Sequence, residues 1–195
     1  MKNIIKNTAI LTVITLVAGL LLGFVYDITK EPIALAKEKA KIEAYQAVMQ
    51  EADAFDTVEV ETVDLGIEGC VIDEVVSAKA GDEVKGYVVT ATSNAGYGGN
   101  LQVSVGIAVD GTVKGIEILS ISETPGLGMN ANTPEFKGQF SEKQVEAFVV
   151  TKTGAAADNE IDAISSATIT SNAFTSAVNS AISYFNQALG GSVNE

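Results

Sequence analysis

Hydrophobic and polar residues follow three different periods along this chain, and each period predicts a different element. Residues 8–26 read TAILTVITLVAGLLLGFVY with no charge, and at about 1.5 Å per residue a helix of that length crosses roughly 30 Å of hydrocarbon. Residues 32–51 predict a second helix, because Ile33, Ala36, Ala40, Ala44, Tyr45 and Val48 share one face and Pro32 suits a first turn. Short alternating runs follow between 52 and 92, such as Thr57-Val58-Glu59-Val60-Glu61-Thr62-Val63, and predict strands exposed on one face. Gly81-Asp82-Glu83 reads as a turn before a strand over 84–92. Residues 101–109 and 112–119 alternate on either side of Asp110-Gly111, a strong short-range hairpin signal. The period then returns to that of a helix over 172–189, where Phe174, Ala177, Val178, Ala181, Ile182, Phe185 and Leu189 recur at three- and four-residue steps. With no internal repeat or low-complexity linker, the chain reads as α+β, an N-terminal membrane helix followed by one domain with an antiparallel sheet and flanking helices.

A cleaved signal peptide competes for the N-terminal run, with Lys2 and Lys6 in front and Ala34-Leu35-Ala36 behind. The run exceeds the roughly 7 to 15 residues of a signal core, and Asp27, Lys30 and Glu31 intervene before the Ala-x-Ala. It is therefore read as an uncleaved anchor in contact with lipid over 8–26. Residues 1–7 form a tail, 27–51 a connecting helix, and 52–195 the domain. Lysines stand at both ends of the anchor, Lys2 and Lys6 against Lys30, Lys37, Lys39 and Lys41. The positive-inside rule therefore leaves the orientation open.

Candidate chemistry gathers in three loops. Gly96-Tyr97-Gly98-Gly99 precedes the hairpin and Glu123-Thr124-Pro125-Gly126-Leu127-Gly128 follows it, and antiparallel pairing brings both to one end of the sheet. Neither has the spacing of a Walker A or dinucleotide fingerprint, and each alone is ordinary turn chemistry. The third is Asp162-Ala163-Ile164-Ser165-Ser166-Ala167-Thr168-Ile169-Thr170-Ser171, which crowds hydroxyls at a helix start. Unpaired N–H groups and the positive end of the helix dipole would favour a phosphate there. The same residues also read as plain caps, with Thr170 or Ser171 the natural N-cap.

Composition narrows the chemistry. Among 195 residues the formal net charge is −13 and every cation is a lysine, so nucleic acid is a poor partner. With no histidine, His-based acid–base catalysis, the usual catalytic triads and His-ligated zinc are excluded. Cys70 is the one cysteine, which removes intrachain disulfides and cysteine-ligated clusters. No metal site is expected.

The order of these features resembles a known family. An N-terminal membrane helix, Gly96-Tyr97-Gly98-Gly99, the Asp-Gly hairpin, Glu123 to Gly128, and Asp162-x-x-Ser165-Ser166-Ala167-Thr168 are together similar to the covalent FMN-binding subunits of Rnf and Na⁺-translocating NADH:quinone reductase complexes. The resemblance implies FMN joined through its phosphate to Thr168, the flavinylation motif being Asp162, Ser165, Ser166, Ala167 and Thr168. It implies that the loop with Glu123, Thr124, Leu127 and Gly128 borders the flavin ring; Gly98 and Gly99 would give backbone access to the same pocket with Tyr97 packed nearby, and Thr170 and Ser171 are caps or phosphate neighbours. It also implies a flavin transferase that takes FAD as donor outside the cytoplasm, which places the tail inside the cell membrane and the domain outside it. The partners would be other membrane subunits of the redox complex. One position departs: Ser166 stands where the family has glycine, a substitution that matters if the backbone there takes a positive φ.

Within the family the compact length favours the Rnf G-subunit over the longer C-subunit of the quinone reductase. The chain would then be an electron-carrying subunit in a complex moving electrons between ferredoxin and NAD⁺, coupled to Na⁺ or H⁺ movement, and would complete no reaction alone. A reading from another class is a membrane-anchored, non-redox binding or scaffold domain, in which the hydroxyl cluster only caps a helix.

Overall fold

The structure is a computed structural model and describes residues 1–190. The end of the expected domain, 191–195, lies outside the described residues. α1 (Lys2–Val48) is a single 47-residue helix that contains Pro32. Pro32 thus lies within a helix rather than opening one. Its ring forfeits one main-chain hydrogen bond, and the helix-forming residues on either side, Lys30-Glu31 and Leu35-Ala36-Lys37, continue it. Residues 1–41 form one compact unit by themselves. The helix that runs through them is long and apolar enough, by length and composition, to cross a membrane once.

The second unit begins at Ile42 and is built on a five-stranded sheet. β1 (Ala54–Val58), β2 (Cys70–Ala80), β3 (Glu83–Gly96), β4 (Gly99–Ala108) and β5 (Val113–Ser120) lie side by side in chain order, each antiparallel to the next. Asp110 closes the β4–β5 turn, its Oδ1 accepting the Thr112 N–H at 2.9 Å. Alternation sends Val75, Val89, Ala91, Leu101, Val103, Val105 and Ile107 to one face and Val76, Ala78 and Val88 to the other. The second face is covered by the end of α1 and the residues after it, through Tyr45, Val48, Met49 and Ala52.

A 3₁₀ turn (Gly128–Asn132) and the short α2 (Pro134–Gly138) follow β5. Two short parallel strands, β6 (Val149–Thr151) and β7 (Glu160–Asp162), then deliver the chain to 163–167 and into α3 (Thr168–Tyr184). Phe136, Phe140, Phe148 and Phe174 form a cluster of edge-to-face rings among these elements.

α3 covers the first face and presses Ala173, Phe174, Ala177, Val178, Ala181 and Ile182 onto the sheet. The helix begins at Thr168, not at Asn172. Thr170 and Ser171 are buried in its first turns, so they are part of the helix and not its cap. Local propensity favours hydroxyls at caps, and burial against the domain overrides it. Ala167 occupies the N-cap position and makes no side-chain cap bond. Phe185–Leu189 continue α3 as a π-helical turn.

The strand expected through Val63 stops at Val58. Beyond it the chain leaves the sheet and straps over the end of α3. The Glu61 N–H donates to the Tyr184 hydroxyl at 2.9 Å, Ser183 Oγ donates to the Leu65 carbonyl at 3.1 Å, and Gln187 Nε2 donates to the Asp64 carbonyl at 2.9 Å. The polar alternation of that segment therefore serves a loop satisfied by helix side chains.

Candidate functional site

The two glycine-rich loops meet, as antiparallel pairing predicts. Gly96 pairs with Gly99, so Tyr97-Gly98 is the two-residue tip between β3 and β4. A Cβ on Gly98 would collide with the Ser122 carbonyl on the stretch leaving β5, which is why the tip can lie against it. Gly99 sits at φ 111°, a conformation that glycine alone adopts readily. Thr124 closes the second loop, its carbonyl accepting the N–H groups of Leu127 at 3.1 Å and Met129 at 3.2 Å.

The hydroxyl-rich segment arrives beside these loops from β7. Ser166 has φ 61°, so the departure from glycine falls at a left-handed position. Ser171 braces the turn: its Oγ accepts the Ile164 N–H at 2.9 Å and donates to the Ala167 carbonyl at 3.1 Å, while the Ala167 N–H meets the Ile164 carbonyl at 2.9 Å. The Ser171 N–H makes the first helical bond, to the Ala167 carbonyl at 3.0 Å. The N–H groups of Thr168, Ile169 and Thr170 precede it and have no partner within the helix. Thr168, half-buried, stands at the positive end of α3.

Between the loops and this helix start is a cavity of about 600 Å³, lined by Tyr97, Glu123, Thr124, Leu127, Gly128 and residues 166–170. Its size suits a small-molecule cofactor. Tyr97, Leu127 and Ile169 stand 74%, 40% and 54% exposed around it. Glu123 is the reverse, 7% exposed, and its Oε1 meets no hydrogen-bond donor among the described residues. The carboxylate is packed against Gly128, where a Cβ would lie 2.8 Å from Glu123 Oε2 and 2.7 Å from Thr170 Oγ1. No lysine is among the lining residues.

Of the residues that the sequence singles out, Tyr97, Glu123, Thr124, Leu127, Gly128, Ser166, Ala167, Thr168 and Thr170 line this one cavity. Gly98 and Gly99 shape the tip that carries Tyr97, and Ser171 is buried behind the turn. Asp162 and Ser165 face a second hollow of about 730 Å³ with Asn130, Glu135, Gln139 and Lys143. The motif thus runs along the wall between two depressions. Two contributors carried no signal in the sequence reading: Ile169, an apolar residue inside a hydroxyl cluster, and Gln139, whose side chain bonds the main chain of Asp162.

Known proteins resemble this chain along most of its length. Residues 1–48 match the RnfG N-terminal region and residues 96–183 match the FMN-binding domain family. The G-subunit of the proton-translocating ferredoxin:NAD⁺ oxidoreductase complex of Clostridium ljungdahlii is 32% identical over 190 residues, 97% of this chain and 96% of that protein. The chain belongs to the G-subunit family of ion-translocating oxidoreductase complexes. The G-subunit of the Na⁺-translocating ferredoxin:NAD⁺ oxidoreductase complex of Acetobacterium woodii is 35% identical over 193 residues, 94% of this chain and 92% of that protein. The C-subunit of the Na⁺-translocating NADH-quinone reductase of Vibrio anguillarum matches over 103 residues only, at 37% identity, 48% of this chain and 40% of that protein. The fold is that of NqrC from Shewanella oneidensis, with a TM-score of 0.51 at 19% identity over 72% of each chain.

The cavity carries groups suited to FMN. The orphaned acceptor on Glu123 seeks a donor, which a flavin carries on its ring and its ribityl chain, and the exposed apolar side chains offer contact to a planar ring. The donors at the start of α3 offer a place for one phosphate group. The residues present fit the group.

Proposed function

We propose that the chain is an electron-carrying subunit of an ion-translocating ferredoxin:NAD⁺ oxidoreductase of the Rnf type, with FMN attached as a phosphoester to Thr168. The observation that carries this reading is the position of Thr168, on the wall of a cavity that no lysine lines, at the first residue of a helix with free N–H groups. A phosphate held there by charge alone would have only backbone donors and the helix dipole against a chain of net charge −13. A covalent bond retains the cofactor without a cationic cradle.

Attachment would join the Thr168 oxygen to the flavin-side phosphorus of FAD. The pyrophosphate P–O bond would break, AMP would depart, and the hydroxyl proton would be lost to solvent or to the transferase. Bound FMN supplies the electron chemistry that a chain without histidine and with one cysteine lacks. The chain's own residues would hold it: the start of α3 would receive the phosphate, Tyr97, Leu127 and Ile169 would shield the ring from water, and Glu123 would accept a hydrogen bond. With the transferase acting outside the cytoplasm, residues 8–26 span the cell membrane, the tail lies inside, and the domain faces out toward the other membrane subunits.

The reading is tested by co-expression with the FAD-dependent transferase and flavin fluorescence on a denaturing gel. A fluorescent band is expected for the unsubstituted chain and for Thr170→Val, and none for Thr168→Val. A dark band for the unsubstituted chain, where a known substrate of the same transferase fluoresces, would return the protein to the scaffold reading.

A further inference from the structure

The buried carboxylate of Glu123 does more than offer an acceptor. It is the one charged side chain among the residues lining the cavity, one of its oxygens lacks a donor among the described residues, and the lining includes no lysine to balance it. Glu123 Oε2 and Thr170 Oγ1, in the first turn of α3, both lie within 2.8 Å of the point that a Cβ on Gly128 would occupy, so the carboxylate flanks the helix start where a phosphate would arrive. Free FMN carries a phosphomonoester of charge near −2, riboflavin carries none, and the diester formed on Thr168 carries −1.

We propose that Glu123 is a charge-selecting residue, which makes the unmodified cavity prefer a neutral flavin over a free flavin phosphate. The selection rests on the flavin reading given above. Loss of one negative charge on esterification lowers the repulsion, and the covalent bond overrides what remains. At a separation of several ångströms across a partly buried site, like charges of this size change a binding ratio by on the order of tenfold.

The test uses the full chain in detergent micelles, expressed without the transferase so that Thr168 is unmodified, and titrated with riboflavin and with FMN while flavin fluorescence quenching is followed. Riboflavin is expected to bind about tenfold more tightly than FMN. Glu123→Gln, which keeps the size and an acceptor oxygen, is expected to close most of that gap by tightening FMN. Should Glu123→Gln fail to fold by thermal melting, Glu123→Met removes the charge at similar size and is expected to shift the ratio in the same direction. Equal affinities for the two flavins, or a ratio unchanged when the Glu123 charge is removed in a folded variant, would overturn the selection by Glu123 and leave the flavin site standing. Binding of neither flavin at millimolar concentration would remove the flavin pocket along with it.

Discussion

The side-chain amide of Gln139 spans both main-chain polar groups of Asp162: its Oε1 accepts the Asp162 N–H at 2.6 Å and its Nε2 donates to the Asp162 carbonyl at 3.4 Å. Asp162 ends β7, and the next residue still bonds the β6 partner, the Ala163 N–H meeting the Thr151 carbonyl at 2.8 Å. Gln139 therefore stands where another strand would, and fixes the point from which the segment to Thr168 departs. Gln139→Ala is expected to cost about 1–2 kcal/mol by leaving those groups to water. It should also slow flavin attachment several-fold at limiting transferase, measured by the growth of in-gel fluorescence with time. A normal attachment rate in a destabilised variant would confine Gln139 to a structural role.

Ser166 at φ 61° occupies a conformation in which an L side chain costs roughly 1 kcal/mol. Ser166→Gly removes that strain and is expected to raise stability by up to about 1 kcal/mol in urea denaturation, with attachment at least as fast. Ser166→Val, whose β-branch suits this region worst, is expected to lower both.

That position shows how far a sequence can be read. A mismatch to glycine pointed to a backbone requirement at Ser166, and the positive φ is the physical form it takes. The hairpin was legible because Asp110-Gly111 and period-two alternation are local, and the meeting of the two glycine-rich loops followed from strand pairing alone. The start of α3 was not legible, because Thr170 and Ser171 enter the helix through burial against distant parts of the domain, which outweighs their preference for caps. The run 59–63 misled for the same reason: its alternation is a strand pattern, but the main chain from there to Leu65 finds its partners more than a hundred residues away, on side chains of α3 and the turn after it. Neither the Gln139 contact nor the isolation of Glu123 could be read from spacing, since each is a relation between loops that the fold alone brings together.

The strap makes its own prediction. Tyr184 is almost fully buried, and its hydroxyl accepts the Glu61 N–H across 123 positions of sequence. Tyr184→Phe leaves the ring packing intact and removes that acceptor, at an expected cost of about 1–2 kcal/mol from the stranded N–H. Hydrogen exchange at Glu61 should rise well above the loss in global stability, since the residues around it would open without the sheet. Unchanged protection at Glu61 would mean that water replaces the tyrosine without cost.

The Asp110 carboxyl closes the β4–β5 turn and is held below the usual carboxylate range, chiefly by the Thr112 main-chain N–H, then by the Thr112 side chain, with Lys114 adding a smaller attraction. A folded-state value below that of the unfolded chain, about 3.9, means that the unfolded chain binds the proton more readily. The stabilisation is therefore fully present above that value and is lost as pH falls through the lower folded one. Asp110→Asn keeps an oxygen for the Thr112 N–H but does not titrate. Between pH 6 and 5 the unsubstituted chain is expected to be the more stable of the two. As pH falls below about 4, its urea midpoint should drop toward that of the variant, the difference flattening once the folded-state carboxyl is protonated. A constant difference between the two from pH 6 to pH 2 would show that the turn draws nothing from the ionised form.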